Sequence, residues 1–496
     1  MKLLDFISTL GNKWWRGERH QQATSIQIRV LSQAAASSRL EDSWSSFPVN
    51  VDAHIYQEWT TLVARSREGV ENYDHLKKYV QLVRDNVAGP SGFKLDAEIR
   101  YPDGELDKLT SDAIEKSYET FSRKGNFDTT GMLSRADAER MMLSTWAADG
   151  EVICIVRYGS QFPHGIAFQF VDPMRLDPTN YQKLTNGNVI RHGIEMDEDN
   201  RPVAYHFKEQ NEQQFGYIIG GRSGIRVPAN QIIHWFLPEK VGQKRGLPPA
   251  RTALWRMRMI AGFEDAAITN ARIGASKTGL MKNLDADPHP EPIQFDVKPG
   301  VIQDIGNREL IPFTPQFPES TIEIFLRTLL RSSGAGLNVS YHNLANDLTS
   351  VNFSSIRQGA LDEREVWKGL QHSFREGVVV PMYEKWLACA LLNEVIKING
   401  RPLNFANPEK YKSVSFKGRS WPWIDPAAEQ AANERAVAQG FKSRSEVIRE
   451  TSNRDPGDVW SEMEKENIEL KKRGIVPLIP SGSVPPSNEN LATYES

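Results

Sequence analysis

His234–Ala250, HWFLPEKVGQKRGLPPA, is where the chain changes character. Its first residues close the apolar run Ile232-Ile233-His234-Trp235-Phe236-Leu237, whose β-branched and aromatic side chains read as a strand end. Charged residues and glycines follow, and Gly246 leads into Leu247-Pro248-Pro249. Proline costs little in the first turn of a helix, where its missing N–H has no partner anyway, so the pair predicts a helix start. From there to Lys277 the pattern is helical, with Leu254, Met257, Ala261, Ala267, Ile268 and Ala271 near one face. Ala261, Gly262, Ala266, Ala267, Ala271, Gly274 and Ala275 permit close helix packing. A contact face of alanine and glycine buries little area per residue within one chain. It becomes sensible when many copies pack side by side, although the pattern by itself also fits two core helices of an ordinary enzyme.

Upstream of this stretch the period is that of strands. Glu151–Tyr158 (EVICIVRY), Ile166–Val171, Val189–Glu195, Val203–Phe207 and Ile225–Trp235 are predicted strands, with a polar hairpin turn at Asp197–Pro202. This middle third reads as an α/β or α+β body. Before it, helical spacing covers Val51–Asn86 (Ile55, Trp59, Leu62, Val63; then Leu76, Tyr79, Val80, Val83), ended by Gly89-Pro90-Ser91-Gly92. Further helices are predicted over Lys108–Arg123 and Arg135–Ala148. Met1–Leu10 (MKLLDFISTL) reads as a short amphipathic helix and Gln21–Val49 as a Ser/Ala/Gln-rich arm lying loosely over neighbours.

Downstream, prolines at 288, 290, 292, 299, 312, 315 and 318 make residues 279–318 a compact non-helical insert. The next helix has a capping box in Ser320 and Glu323, an apolar stripe (Ile322, Phe325, Leu326, Leu329, Leu330), Arg327 and Arg331 on the other face, and stop signals in Gly334 and Gly336. A polar stretch, Ser340–Ser350 (SYHNLANDLTS), separates it from a long helix over Ser354–Asn393. Beyond Trp421 the chain is helical and polar: Asp425-Pro426 opens a helix that Gly440 closes, Ser443 and Glu446 cap another, and a last one spans Asp458–Arg473. Pro477–Ser496 has the composition of a disordered tail.

The whole chain has 496 residues, 39% hydrophobic and 25% charged, and a formal charge of -3. That is a soluble, globular composition with room for several substructures. Tight DNA binding over the whole surface is excluded, because phosphate neutralisation needs a basic excess. The two cysteines, Cys154 and Cys389, lack any CxxC or Cys/His cluster and read as core thiols; neither a metal nor a cofactor is expected. No run of about 20 apolar residues predicts a membrane span. There is no GxxxxGK[ST], and Gly220-Gly221-Arg222-Ser223-Gly224 reads as a hairpin turn. His234 reads as a core residue, and Glu264-Asp265 and Asp362-Glu363 as solvated helix faces.

Taken with its surroundings, Gly242-Gln243-x-Arg245-Gly246-x-Pro248, following His234 and leading into a long helix, resembles a signature of the lambda-type phage portal family. Further resemblances follow in the family's order: Arg65–Asn72 with Asn86-Val87-Ala88-Gly89, Asp149-Gly150-Glu151, Arg201–His206, Gly334–Arg357 (GAGLNVSYHNLANDLTSVNFSSIR) and Trp423–Ala428. They are collinear over about residues 40–475; Ala88 and Pro90 depart from the family pattern. The resemblance implies an α+β portal fold with an α/β wing, a two-helix stem, a clip insert and an α-helical crown, assembled as a ring, usually a dodecamer. It implies a non-enzymatic conduit for double-stranded DNA at the capsid vertex of a virion, assembled in the host cytoplasm. Its partners would be the major capsid protein, the terminase large subunit and the head-tail completion proteins.

Carried onto this chain, the resemblance makes residues 1–50 an arm, 51–246 the wing, 247–278 and 319–336 the stem helices, and 279–318 the clip, with Lys282, Lys298 and Arg308 as docking residues. Residues 337–353 become the tunnel loop, 354–420 a wing helix and connection, 421–475 the crown and 476–496 the tail. Tyr341, His342, Asn343 and Asn346 would approach DNA, while Arg327 and Arg331 fit either the channel wall or inter-subunit ion pairs. Two other classes stay open: a nuclease or ATPase subunit of a packaging motor, against which the missing phosphate-binding lysine loop argues, and a sequence-specific DNA-binding regulator, against which the acidic balance argues.

Overall fold

The computed structural model describes residues 50–208, 224–275, 279–283, 308–312, 319–349, 353–405, 407–421, 426–452 and 456–474. The chain divides into Met1–Asn50 and Val51–Ser496, and every described helix and strand belongs to the second unit. The expected N-terminal helix, the arm, the glycine turn at 220–223, Lys298, most of the insert's prolines and the tail lie outside the described residues.

Four helices come first: α1 (Val51–Asn72), α2 (Asp74–Val87), α3 (Lys108–Phe121) and α4 (Arg135–Asp149). The helix predicted over Val51–Asn86 is thus two, because Tyr73 takes an extended backbone (φ -112, ψ 115) and turns the chain. Ser134 and Asp137 cap α4 reciprocally, and Gly150 ends it at φ 90. Between α2 and α3 lies β1 (Lys94–Ala97).

The strands then follow as β2 (Glu151–Tyr158), β3 (Ile166–Val171), β4 (Gln182–Lys183), β5 (Val189–Arg191), β6 (Ile194–Met196), β7 (Pro202–Lys208), β8 (Gly224–Pro228) and β9 (Ile232–Phe236). They form an antiparallel sheet of order β3-β2-β9 and a second of order β4-β5-β6-β7-β8. The strand predicted over Val189–Glu195 is broken by His192 and Gly193, both at positive φ (53 and 80), which close a tight hairpin. The strand predicted over Ile225–Trp235 also divides: after Pro228 a 3-10 turn over Ala229–Gln231 carries the chain from one sheet to the other. The hairpin expected at Asp197–Pro202 joins β6 to β7.

Strand β2 explains why its sequence reads as an unbroken apolar run. Val152, Cys154 and Val156 face the main core, with Trp146, Trp235, Phe374 and Trp386, while Ile153 and Ile155 face a second core with Leu176, Tyr205 and Phe207. Alternate side chains of one strand serve two cores.

Helix α5 (Arg251–Ala275) starts after Pro248-Pro249 and not with them in its first turn. Its inner face is Ala253, Met257 and Ile260, all buried. Ile268 (52% exposed) and the exposed Ala271 continue the same face by spacing, but among the described residues nothing packs against them there. The insert begins and ends in a hairpin of β10 (Gly279–Asn283) and β11 (Arg308–Pro312), and α6 (Glu319–Leu337) returns along α5. Phe263 meets Phe325 (ring centroids 5.8 Å) and Thr252 donates to the Gly336 carbonyl at 3.1 Å, so the two helices are antiparallel. Helix α6 begins at Glu319, so Ser320 lies inside it and not at the expected N-cap position; Glu323 pairs with Arg327. Gly334 and Gly336 also lie inside, and Asn338 at φ 55 makes the end.

Where a polar loop is expected stands the one-turn helix α7 (Tyr341–Ala345). The long helix predicted after it is α8 (Phe353–Phe374), a π turn over Arg375–Val379 and α9 (Val380–Leu392), the irregularity falling where Pro381 cannot donate to the ladder. Two short pairs follow, β12 (Lys397–Ile398) with β13 (Arg401–Pro402), and β14 (Val414–Lys417) with β1. Helices α10 (Pro426–Ala438), α11 (Arg444–Ser452) and α12 (Pro456–Lys472) come last, with Gly440 and Gly474 at positive φ beyond the first and third. Among the described residues no helix is long and apolar enough to cross a membrane.

Candidate nucleic-acid interface

The decisive stretch of sequence folds around one buried ion pair. Arg245 and Glu151 are both fully buried, with Arg245 Nε 2.8 and 3.0 Å from the two carboxylate oxygens. The remaining guanidinium N–H groups donate to the carbonyls of Leu176 (2.8 Å), His192 (3.3 Å) and Pro173 (3.1 Å). The guanidinium lies 4.2 Å over the ring of Trp59, whose Nε1 donates to the Gly246 carbonyl at 2.8 Å. Glu151 also accepts from Gly246 N at 2.8 Å and stands 3.2 Å from His234 Nε2. Burial by itself would push the Glu151 carboxyl up; Arg245, with His234 behind it, holds it instead at about 2. Gln243 pins the preceding turn, accepting from Glu239 N (2.9 Å) and Lys240 N (3.2 Å) and donating to the Arg245 carbonyl (2.8 Å). His234 is therefore a buried structural residue, and the whole hub joins α1, β2, β9 and the start of α5.

At the far end of α6, α7 carries the residues expected to approach DNA. Ser340 caps it by accepting from Asn343 N, Leu344 is buried (1% exposed) and Asn346 closes it at φ 52. Tyr341 Oη donates to Asp347 Oδ2 at 2.6 Å, and the His342 ring meets the Asp347 carbonyl with Nδ1 at 2.8 Å. Asp347 Oδ1 accepts from Thr349 N at 2.9 Å and from the Thr349 hydroxyl. Arg327 Nε lies 3.9 Å from Asp347 Oδ2, and the Arg331 guanidinium stands 5.5 Å over the Tyr341 ring. The Thr349 and Tyr341 hydroxyls hold the Asp347 carboxyl well below the usual carboxylate range, while partial burial and then Asp347 itself push the Tyr341 hydroxyl up.

Arg327, Arg331, Tyr341 and His342 thus meet in one network. Asn343 and Asn346 do other work: Asn343 Nδ2 donates to Glu363 of α8 at 2.6 Å, and Asn346 supplies the left-handed turn. Glu363, expected on a solvated helix face, is instead buried beneath Asn343. Asp347 is absent from the residues singled out in the sequence, although Asp347-Leu348-Thr349 carries a signal, since Asp followed two residues later by Thr favours a side-chain-closed turn. Lys282 pairs with Glu309 and Arg308 with Asn283, so the two basic residues sit on neighbouring pairs of the β10–β11 ladder. Leu344 anchors the segment between α6 and α2, its carbonyl 3.4 Å from His75 Nδ1. Leu344→Ala is expected to lower stability by about 2–4 kcal/mol, read from denaturant midpoints.

Among the described residues no group of three or more His, Cys, Asp or Glu could hold a metal ion, and both cysteines are buried and free. The arrangement presents hydrogen-bond donors and charges gathered around Asp347.

A family model described as phage portal protein, lambda family, matches residues 37–371. The probable portal protein of Halomonas phage phiHAP-1 is 30% identical over 458 residues, covering 89% of this chain and 87% of that protein. Portal protein B of Escherichia phage lambda is 21% identical over 489 residues, covering 88% of each. Among solved structures, a chain from the neck of a native gene transfer agent particle aligns over 78% of this chain and 92% of its own length, at 14% identity and a TM-score of 0.43.

Proposed function

The chain belongs to the lambda family of phage portal proteins, and on that premise we propose that identical copies of it stand in a ring at one capsid vertex, forming the channel through which double-stranded DNA is packaged and ejected. In this reading residues 51–246 are the wing that engages the capsid, α5 and α6 the stem, and the β10–β11 insert the clip. The clip, with Lys282, Lys298 and Arg308, receives the terminase motor and later the head-completion proteins. The α6–α7 network faces DNA, and α10 to α12 form the crown. The role is architectural, needs no cofactor, and is exercised in the virion after assembly in the host cytoplasm.

The observation that carries the ring is the bare face of α5. Trp255 (69% exposed) and Met259 (53%) project from it, Ala266 is exposed beside them, and a Cβ added at Gly262 would meet nothing within 4 Å. Apolar area left in water forgoes about 25 cal/mol per Å²; neighbouring copies of the same hairpin would recover it. The near-zero net charge fits a conduit that must let phosphates slide.

Negative-stain microscopy and mass photometry of the purified chain should show closed annuli with a central hole. Gly262→Trp should leave the melting transition of the single chain unchanged and yet abolish the annuli, because the new ring has space within the chain and none between stems. A folded wild-type monomer at every concentration tried would sink the proposal.

A further inference from the structure

The donors that the candidate channel segment offers are turned inward, onto one carboxylate. Tyr341 Oη donates to Asp347 Oδ2 at 2.6 Å, and Arg327 Nε lies 3.9 Å from the same oxygen. Thr349 donates both its backbone N–H (2.9 Å) and its hydroxyl to Oδ1. His342 is occupied at 2.8 Å by the carbonyl of Asp347, and Arg331 spreads over the Tyr341 ring at 5.5 Å. A hydroxyl pair, a backbone N–H and a guanidinium converging on one anion form the kind of set that proteins use to hold a backbone phosphate.

A turn explains only half of this. Closing the Asp347-Leu348-Thr349 turn needs one carboxylate oxygen, Oδ1, on Thr349. Oδ2 takes no part in that turn and is committed to Tyr341 and Arg327, which come from α7 and from the middle of α6. Glu323, one turn before Arg327, holds its guanidinium from the other side. The side chain of Asp347 is 21% exposed, near enough to the surface for its charge to repel an approaching phosphate as well as to occupy the donors.

We propose that Asp347 is a built-in phosphate mimic: it satisfies Tyr341 and Thr349 and, together with Glu323, offsets the charge of Arg327 within the chain, so that the channel segment does not grip passing DNA. The inference rests on the portal reading. Each phosphate contact adds about 0.9 to the slope of log affinity against log salt. A contact made once per subunit is made by every subunit of a ring, so one unmasked arginine per chain would turn a sliding surface into a clamp. Removing the anion while keeping its shape therefore uncovers a latent DNA-binding site.

The test uses assembled rings of the full chain, with a fluorescent duplex of about 30 bp as probe and anisotropy read at several salt concentrations. Asp347→Asn keeps the acceptor for Thr349 N and loses the charge. It should bind the duplex about 3- to 10-fold more tightly at low salt, with a slope steeper by about one counterion per engaged subunit. Arg327→Gln in the wild-type background should leave binding unchanged, because that guanidinium is masked, and in the Asp347→Asn background it should return binding to the wild-type value. Intact Asp347→Asn rings with unaltered affinity and slope overturn the proposal. If that variant does not assemble, Arg327→Gln decides: unchanged binding supports the mask, and weakened binding overturns it by showing Arg327 already on phosphate. Failure of the wild-type chain to form rings would count against the portal reading instead.

Discussion

Replacing Arg245 with methionine is expected to cost about 3–5 kcal/mol and to prevent ring assembly, because it leaves a buried carboxylate without its counter-ion. Glu151 is fully buried between the β3-β2-β9 sheet and the start of α5, and the Arg245 side chain is its closest cation. Methionine fills much of the volume and packs under Trp59, so the loss measures the uncompensated charge and three abandoned carbonyls, those of Leu176, His192 and Pro173, more than a cavity. The pH dependence separates the two proteins. In the wild type the Glu151 carboxyl sits at about 2, below the ordinary 4.5, so its contribution is complete above pH 4.5 and disappears as pH falls through about 2. In Arg245→Met, burial, the largest influence on this group, is opposed only by His234 and the Gly246 N–H and raises the carboxyl, so the variant should gain stability as pH is lowered from about 7 towards about 5. Urea denaturation at those two pH values checks this; a variant whose stability falls in parallel with the wild type between them would contradict the assigned role of Glu151. Glu151→Gln should flatten the wild-type loss of stability below pH 4.5.

Gly246→Ala is the second large effect, about 3 kcal/mol or more, with insoluble or unassembled protein as the visible outcome. A Cβ at Gly246 would stand 2.0 Å from the Gly150 carbonyl oxygen, and one at Gly150 would stand 2.2 Å from the Leu247 carbonyl carbon. Two backbones touch there, at the point where β2 begins beside the entry to α5. Neither can retreat without opening the Glu151–Gly246 hydrogen bond of 2.8 Å. Gly150 is constrained twice, since it also holds φ at 90. Gly262→Ala is the control: with nothing near its added carbon it should be neutral or should stabilise the helix by up to about 1 kcal/mol. Thermal melts of the two alanine variants side by side test the contrast, and equal losses would contradict it.

The contact between Gly150 and Gly246 shows why the family signature is legible in the sequence. Gly-Gln-x-Arg-Gly and Asp-Gly-Glu are the two halves of one packed crossing: glycines where the chains touch, a buried cation in one half and its carboxylate in the other. Residues of that kind tolerate few alternatives, so they survive as readable motifs. The candidate channel segment is different. Tyr341, His342, Arg327 and Arg331 stood out as polar residues next to a helix, but their partner Asp347 did not, because a carboxylate in a polar stretch is ordinary until its neighbours are known. Asn343 and Asn346 were singled out for the same polarity and turn out to serve Glu363 and a left-handed turn.

Local chemistry determined the order and type of the elements: helical spacing in α3, α4 and α6, alternation or apolar runs in β2 and β7, and glycine or proline near most ends. Those signals act over a few residues and survive without the rest of the molecule. Tertiary structure decided where continuous patterns were cut, as at Tyr73 and at His192-Gly193, and which face of α5 went unpartnered. Spacing tells which side chains share a face, whereas burial depends on what stands opposite. For Ile268 and Ala271 nothing in the described chain does, and so the same apolar periodicity that builds a core at Met257 and Ile260 leaves a bare surface further along the helix.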